Sequence, residues 1–152
     1  MALIYDRTQQ DVANAIKIRS EKVQNFSTLT TEEIAILERG TLTINTLNRI
    51  ENKQDELKSL INDMGYWNTP IINKNWDYSQ IFDEGEFQRI LDNTNILKEA
   101  FFVYKNTPNT PNVSYNFNDI NAIEKILFDI ESMIQEIKYL YRECGEIECG
   151  LQ

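Results

Sequence analysis

The apolar residues between positions 118 and 143 recur at alternating steps of three and four residues. This spacing places them along one face of an amphipathic helix. The face consists of Ile120, Ile123, Leu127, Ile130, Ile134, Ile137 and Tyr141, with Ile126, Met133 and Leu140 beside it. A face this wide is typical of a helix that is covered by two neighbouring helices. The sequence therefore predicts a long helix over residues 118–143, on which the core of the protein is built.

Four earlier segments have the same helical spacing and carry start or stop signals. Capping boxes, in which a side chain at each of two positions binds the backbone of the other, open two of these segments at Thr30–Glu33 and Asp83–Glu86. Gly40 and Gly65 stand where two segments stop, because glycine readily ends a helix. The predicted helices span residues 9–24, 31–39, 44–64 and 84–102.

One polar residue, Gln54, interrupts the apolar face of the third predicted helix between Ile50 and Leu57. A single buried polar residue in such a face can set the register of packing at some cost in stability. A glutamine at the solvated edge of the face fits the pattern equally well, so the sequence leaves both interpretations open.

The segment of residues 65–82 lacks helical spacing and contains Trp67, Trp76, Tyr66 and Tyr78. A loop of this length is uncommon unless it is packed or functional, and so many large rings are unsuited to a solvated linker. We expect both tryptophans to dock on the helices.

The two ends of the chain do not follow the helical pattern. Residues 1–7 form an N-terminal arm with Leu3, Ile4 and Tyr5 in a row, and residues 144–152 form a C-terminal tail. The tail leaves open a short β pairing with the arm. The predicted fold is accordingly mainly α: a single domain over all 152 residues, built as a bundle of about five helices with a long C-terminal helix.

Composition argues against several classes of partner. The chain carries 15 Lys and Arg against 24 Asp and Glu, and its net charge of −9 disfavours a nucleic-acid or anionic-membrane partner. No apolar run approaches the roughly 20 residues of a membrane span. The first residues show neither the basic nor the apolar segment of a signal peptide. We expect no nucleic acid and no membrane among the partners.

The sequence shows a helical pattern but no recognisable catalytic constellation, cofactor motif or metal site. Adjacent acids such as Glu32 and Glu33 stand at helix starts, where the helix dipole favours negative charge. Cys144 and Cys149 are spaced too widely for a C-x-x-C redox motif, and two thiols in a chain without histidine are too few for structural zinc. We expect no enzymatic activity, no cofactor and no metal, and we expect both thiols to be dispensable.

Two sets of apolar residues are candidates for a protein interface. Phe128 and Tyr139 lie eleven residues apart and share the face of the long helix opposite to the isoleucines. Exposed aromatic residues are enriched in interfaces, although a cover formed by the tryptophan-containing loop accounts for them equally well. The second set is Leu3, Ile4 and Tyr5, because a partner strand could bury these three large side chains near a terminus.

Six short blocks follow one another along nearly the whole chain. They are Ile4–Val12 (IYDRTQQDV), Thr46–Glu51 (TLNRIE), Arg89–Asn93 (RILDN), Thr107–Pro111 (TPNTP), Asn121–Leu127 (NAIEKIL) and Cys144–Gly150 (CGEIECG). In this order they resemble a family of small structural proteins from phages and prophages of Gram-positive bacteria. The family pattern has serines in place of the two cysteines, and an Ala-Asn order in place of Asn121–Ala122. Neither departure touches known chemistry.

The resemblance implies a component of a phage tail, or of a tail-derived bacteriocin particle (a tailocin), close to the baseplate or tail fibre and without enzymatic activity. The implied partners are other tail or baseplate proteins, with self-association left open. The implied location is the virion or particle, after synthesis in the bacterial cytoplasm. The residues alone are also compatible with a cytoplasmic adaptor or regulatory module that binds a protein partner.

Overall fold

The computed structural model describes residues 3–22, 28–66, 71–112 and 116–148, with side chains up to residue 142. It contains five α-helices: α1 (Gln9–Lys22), α2 (Thr31–Gly40), α3 (Ile44–Asp63), α4 (Glu84–Ala100) and α5 (Phe117–Glu148). The described residues include no strand, so the predicted mainly α fold with five helices and a long last helix is confirmed. Within these residues no helix is both long and apolar enough to cross a membrane.

The last helix is longer than the sequence suggested. Residues 144–148 continue α5, whereas the pattern predicted an end before Gly145 and left open a short strand after it. A glycine inside a helix costs only about 1 kcal/mol relative to alanine, and extending an existing helix is cooperative. The strand, and with it the β pairing of the termini, is therefore wrong for residues 144–148. Residues 149–152 lie outside the described part of the chain.

The two predicted capping boxes have different outcomes. The box at α2 is complete, because Thr30 Oγ1 accepts from the Glu33 N–H (3.2 Å) and Glu33 Oε2 accepts from the Thr30 N–H (2.8 Å). At α4, Asp83 accepts from the Glu86 N–H (3.0 Å), but the Glu86 carboxylate binds Lys74 and Arg89 instead of returning to the cap. The second capping box is therefore only half formed, because the Glu86 carboxylate pairs with two nearby cations and not with the Asp83 N–H.

α3, α4 and α5 form a three-helix bundle that contains the main apolar core. The predicted apolar face of α5 is buried from Ile120 to Ile134, after which Ile137 is half-buried and Tyr141 is 75% exposed. The facing core residues are Leu47, Ile50, Leu57 and Ile61 of α3 and Phe87, Ile90, Leu91 and Leu97 of α4. The core is built on the last helix as predicted, but the helix continues beyond it.

Gln54 is a buried polar residue of this core, with 0% exposure. Its Nε2 donates to the backbone oxygen of Ile90 and to Oγ1 of Thr94, both at 2.9 Å. These bonds satisfy the amide inside the bundle and link α3 to α4 at one register. The buried interpretation of Gln54 is confirmed, and the solvated-edge interpretation is wrong.

Part of the loop between α3 and α4 docks on the bundle through Trp76, as predicted for this tryptophan, whereas Tyr78 of the same loop is 96% exposed. Trp76 is 4% exposed, and its backbone N–H and C=O both bind the Asn48 side chain, at 2.7 Å and 2.9 Å. Its Nε1 donates to Oε1 of the buried Glu51 (2.6 Å). Trp67 lies outside the described residues.

α1 packs chiefly against α2. A Cβ atom added at Gly40 would lie 2.1 Å from the Asp11 carbonyl oxygen and 2.5 Å from the Ala15 Cβ, so only glycine fits this contact. Gly40 therefore permits a close helix–helix approach, and the α2 cap is the extended Thr41. Gly65, with φ of 83°, does end α3 in the left-handed conformation that suits glycine.

Candidate protein-interaction surfaces

The N-terminal arm lies on α5 of its own chain. Leu3 packs against the bundle core, and the Ile4 N–H donates to Oε2 of Glu124 (3.1 Å). The Asn121 side chain binds both backbone groups of Arg7: Oδ1 accepts from the N–H (3.1 Å), and Nδ2 donates to the C=O (2.9 Å). Half-buried Leu3 and Ile4 therefore leave less surface to a partner than the sequence suggested.

A buried cluster of two arginines and one glutamate fixes the arm. Nη1 of Arg7 donates to Oε2 of Glu124 (2.6 Å), and Nε of Arg49 donates to Oε1 (2.7 Å). All three residues are at most 5% exposed. Burial lowers the pKa of Arg7, and the neighbouring Glu124 charge opposes that shift. The cluster joins the arm, α3 and α5, and two positive charges share one negative charge there.

Tyr5 brings the two predicted interface sets together. Its ring centroid lies 4.9 Å from that of Phe128, and the Lys125 ammonium lies 5.4 Å and 5.1 Å from the two centroids. These distances are in the range of cation–π attraction. Tyr5 is 36% exposed and Phe128 is half-buried, whereas Trp76 packs against Phe82. The ring that covers Phe128 thus comes from the arm.

Tyr139, the remaining predicted interface residue, does not join this group. It lies about 16.5 Å farther along the helix axis than Phe128, at a rise of 1.5 Å per residue. Tyr139 is 62% exposed, Leu140 60% and Tyr141 75%. Successive residues of a helix point about 100° apart, so this turn of α5 presents apolar side chains on several sides.

Tyr66 lies near this turn and contacts a second exposed ring, Phe102. Tyr66, after α3, packs edge-to-face on Phe101 and Phe102, with centroid distances of 5.0 Å and 6.1 Å. An open cavity of about 420 Å³ adjoins Tyr66 and Tyr141. We call the set Tyr66, Phe102, Tyr139, Leu140 and Tyr141 the aromatic end. Sequence reasoning missed Phe102, which is 59% exposed, although the apolar face of α4 needs only its neighbour Phe101.

One strong hydrogen bond borders the aromatic end. The Tyr104 hydroxyl donates to Oε1 of Glu136 at 2.6 Å, on the exposed side of α5. The carboxylate favours the neutral phenol and raises the pKa of Tyr104 to about 12. This bond ties the segment after α4 to α5 one turn before Tyr139.

Metal-ligating side chains do not gather in the described part of the chain. Among those residues, no group of three or more His, Cys, Asp or Glu side chains could hold a metal ion. Cys144 belongs to α5 by its backbone, but its side chain and all of Cys149 lie outside the description. The dispensability of the thiols stays a prediction.

The chain was compared with protein-family models, with curated proteins and with solved structures, and no match was found in any of the three.

Proposed function

We propose that this protein is a structural assembly component of a phage tail or phage-tail-like particle, in the baseplate or near the tail fibre. It acts through contacts with other tail or baseplate proteins. Support comes from the six sequence blocks and their order, and from the aromatic end. The aromatic end is the observation that carries the proposal, because it gives the chain a surface suited to protein contact.

The aromatic end has the composition of an interface. Phe102, Tyr139, Leu140 and Tyr141 are each at least 59% exposed in the isolated chain. A helix turn that is apolar on several sides is normally buried. Burial of apolar surface by a partner contributes about 25 cal/mol per Å², and tyrosine and phenylalanine provide large contact areas with few rotatable bonds. The aromatic end is therefore the place where a neighbour in the particle would bind.

The test compares two triple variants of the chain. The first changes Phe102, Tyr139 and Tyr141 to Ser. The matched control changes exposed apolar residues elsewhere, Ile16, Ile72 and Tyr78, to Ser; their exposures are 59%, 71% and 96%. We expect both variants to keep the parent melting temperature, because neither loses buried core.

Incorporation is then scored by mass spectrometry of particles purified from the bacterium that encodes the chain. We expect the first variant to be lost from particles and the control to be retained. Equal incorporation of both variants would mean that the aromatic end is not the contact surface. Absence of the parent chain from every particle would refute the proposed function.

The second candidate function, a cytoplasmic adaptor, would use the same surface. A pull-down with the parent chain and the aromatic-end variant separates the two. Specific capture of non-particle proteins alone, lost in the variant, would favour the adaptor.

A further inference from the structure

A cavity of about 310 Å³ lies between the α1–α2 pair and the three-helix bundle. Its apolar lining comes from both regions: Val12, Leu42, Phe87, Phe117 and Ile120. The charged residue in its wall is Arg7, which is 5% exposed. The cavity therefore combines a mostly apolar surface with one buried guanidinium.

The hydrogen bonds of this guanidinium are incomplete. Its Nη1 binds Glu124, Asn121 and the Ile4 carbonyl. Its Nη2 is buried and has no hydrogen-bond partner among the described residues, and the same is true of Nη2 of Arg49. A buried donor without an acceptor costs about 1–3 kcal/mol, and more when it is charged. The cluster thus has spare donors and one more positive than negative charge.

The other buried glutamate shows what a completed cluster looks like. Glu51 accepts from two guanidinium nitrogens of Arg89 (3.1 Å and 2.6 Å), from Trp76 Nε1 (2.6 Å) and from the Lys74 N–H (2.5 Å). Arg89 also donates through Nε to Oε2 of Glu86 (2.9 Å), so two acids face one arginine there, and no buried nitrogen of Arg89 lacks a partner among the described residues. The spare donors are therefore a property of the Arg7–Glu124–Arg49 cluster and not of buried ion pairs in this protein generally.

We propose that this cavity binds an organic carboxylate with a short apolar body, whose carboxylate pairs with Arg7 and whose body lies against the apolar lining. A planar guanidinium matches the two oxygens of a carboxylate. The N-terminus of α5, which begins at Phe117 in the cavity wall, adds a positive dipole end. The volume is at the lower end of the roughly 300–1,000 Å³ of small-ligand pockets. The mostly apolar lining disfavours a fully hydrated inorganic anion.

Two sources could supply this ligand chemistry. One is a free small acid, and the other is the C-terminal carboxylate of a peptide that ends in an apolar residue. Both would place one carboxylate beside Arg7 and one apolar group in the cavity. This inference is independent of the proposed function.

The test uses the whole chain with five probes: hexanoate, hexanamide, inorganic phosphate, and a short peptide ending in leucine in two forms, with a free and with an amidated C-terminus. Binding is followed by calorimetry and by amide chemical shifts of Val12, Leu42 and Phe117. We expect hexanoate or the free-ended peptide to bind and to shift these signals, and we expect the two amides and phosphate to leave them unchanged. Tighter binding of the peptide than of hexanoate identifies a protein terminus as the source, and the reverse order identifies a small acid.

Two variants locate the site. The first is Arg7→Met, and the matched control is Arg19→Met, which changes an exposed arginine of α1. Arg7→Met leaves Glu124 and Arg49 as a one-to-one pair, so we expect it to fold and to lose carboxylate affinity about tenfold or more. Arg19→Met should bind like the parent. If Arg7→Met does not fold, Arg7→Lys takes its place. Lysine keeps the positive charge but lacks the planar guanidinium that matches two carboxylate oxygens, so Arg7→Lys should still weaken binding. No binding by the parent, equal binding of the amides, or equal binding by the Arg7 variants overturns the proposal.

Discussion

The α1–α2 pair is stabilised internally by different forces from those that stabilise the α3–α5 bundle. The bundle buries long apolar side chains completely, with Ile50, Leu57 and Ile130 all at 0% exposure. In the α1–α2 pair, Ala15 and Ile18 are the buried apolar residues of the described helices. Burying one large aliphatic side chain is worth about 1.5–3 kcal/mol. The bundle therefore carries most of the stability of the fold.

Local polar contacts and one close backbone approach take the place of a core in the α1–α2 pair. Arg39 binds Asp11 through Nε and Asp6 through Nη2, both at 3.0 Å. These groups are partly exposed, and ion pairs at the surface contribute little to stability because water and salt screen them. Helices of 14 and 10 residues are marginal without tertiary packing. We therefore predict that the α1–α2 pair unfolds at a lower cost in free energy than the bundle does.

The largest expected effect is in the bundle. Ile130→Asp places an unpaired charge at a fully buried position. The cost of several kcal/mol is comparable to the roughly 5–15 kcal/mol that stabilise a whole domain, so we expect the chain to unfold. Ile16→Asp, at a 59% exposed position of α1, is the control and should melt within about 0.5 kcal/mol of the parent. A parent-like melt of Ile130→Asp would refute the assigned core.

The next effect concerns the link between arm and bundle. Glu124→Gln leaves the buried guanidiniums of Arg7 and Arg49 without their acid, and breaking such a cluster costs about 3–5 kcal/mol. Chemical denaturation measures this loss. Glu131→Gln removes only a partly exposed pair with Lys53 and should cost less than about 1 kcal/mol. Equal losses would mean that the buried cluster does not anchor the arm.

A smaller effect should be confined to the α1–α2 pair. Gly40→Ala forces a methyl group against the Asp11 carbonyl and the Ala15 side chain, at an overpacking cost of about 1–3 kcal/mol. We expect helical circular dichroism to fall while the tryptophan fluorescence transition, measured in a Trp67→Phe background so that it reports on Trp76 in the bundle, stays in place. A shift of both signals together would show that the two regions unfold as one.

Acid should also act first on the α1–α2 pair. The Arg39 side chain lowers the pKa of Asp6, hydrogen bonds from Thr8 lower that of Asp11, and the Thr30 N–H lowers that of Glu33. Because each folded-state pKa lies below the ordinary value of 3.8 or 4.5, the stabilisation is present above that value and is lost as pH falls through the folded-state pKa. Amide spectra recorded from pH 6 down to about pH 2, through the range below 3.8 in which this stabilisation is lost, should change in α1 and α2 before α5. Simultaneous changes would contradict this order.

The smallest expected effect is at the two thiols. Replacing Cys144 and Cys149 with Ser should leave the melting temperature and particle incorporation nearly unchanged, because the resembled family has serine at these positions. Both quantities are measured on the double variant with and without reductant. A large loss in either would reveal a disulfide or metal role.

The periodic features of the fold could be predicted from sequence, and the long-range polar ones could not. The apolar face of α5 and the cap at Thr30 are local patterns that the chain repeats or pairs within a few residues. Glu124 reads as an ordinary helical acid, since its partners Arg49 and Arg7 lie 75 and 117 residues away in the chain. The sequence placed the end of α2 at Gly40 correctly but for the wrong reason. Glycine is required there for the close approach of α1, and a helix stop and a close approach both select glycine.

The candidate surfaces were predicted only in part for the same reason. The pattern on α5 singled out Phe128 and Tyr139 as sharing a face, but it contained no information about the arm that covers Phe128. The rings of Tyr66 and Phe102 belong to other segments, and only the fold brings Tyr66 near Tyr141. Exposure is a property of the assembled bundle, and one helix alone does not specify it.

Native-state hydrogen exchange of the backbone amides tests the central comparison most directly. It yields the opening free energy of each region separately. We predict that the amides of α3 and of the buried part of α5 exchange only on global unfolding. The amides of α1 and α2 should exchange through a local opening that costs clearly less free energy. Equal protection of the α1–α2 pair and the bundle would contradict the account.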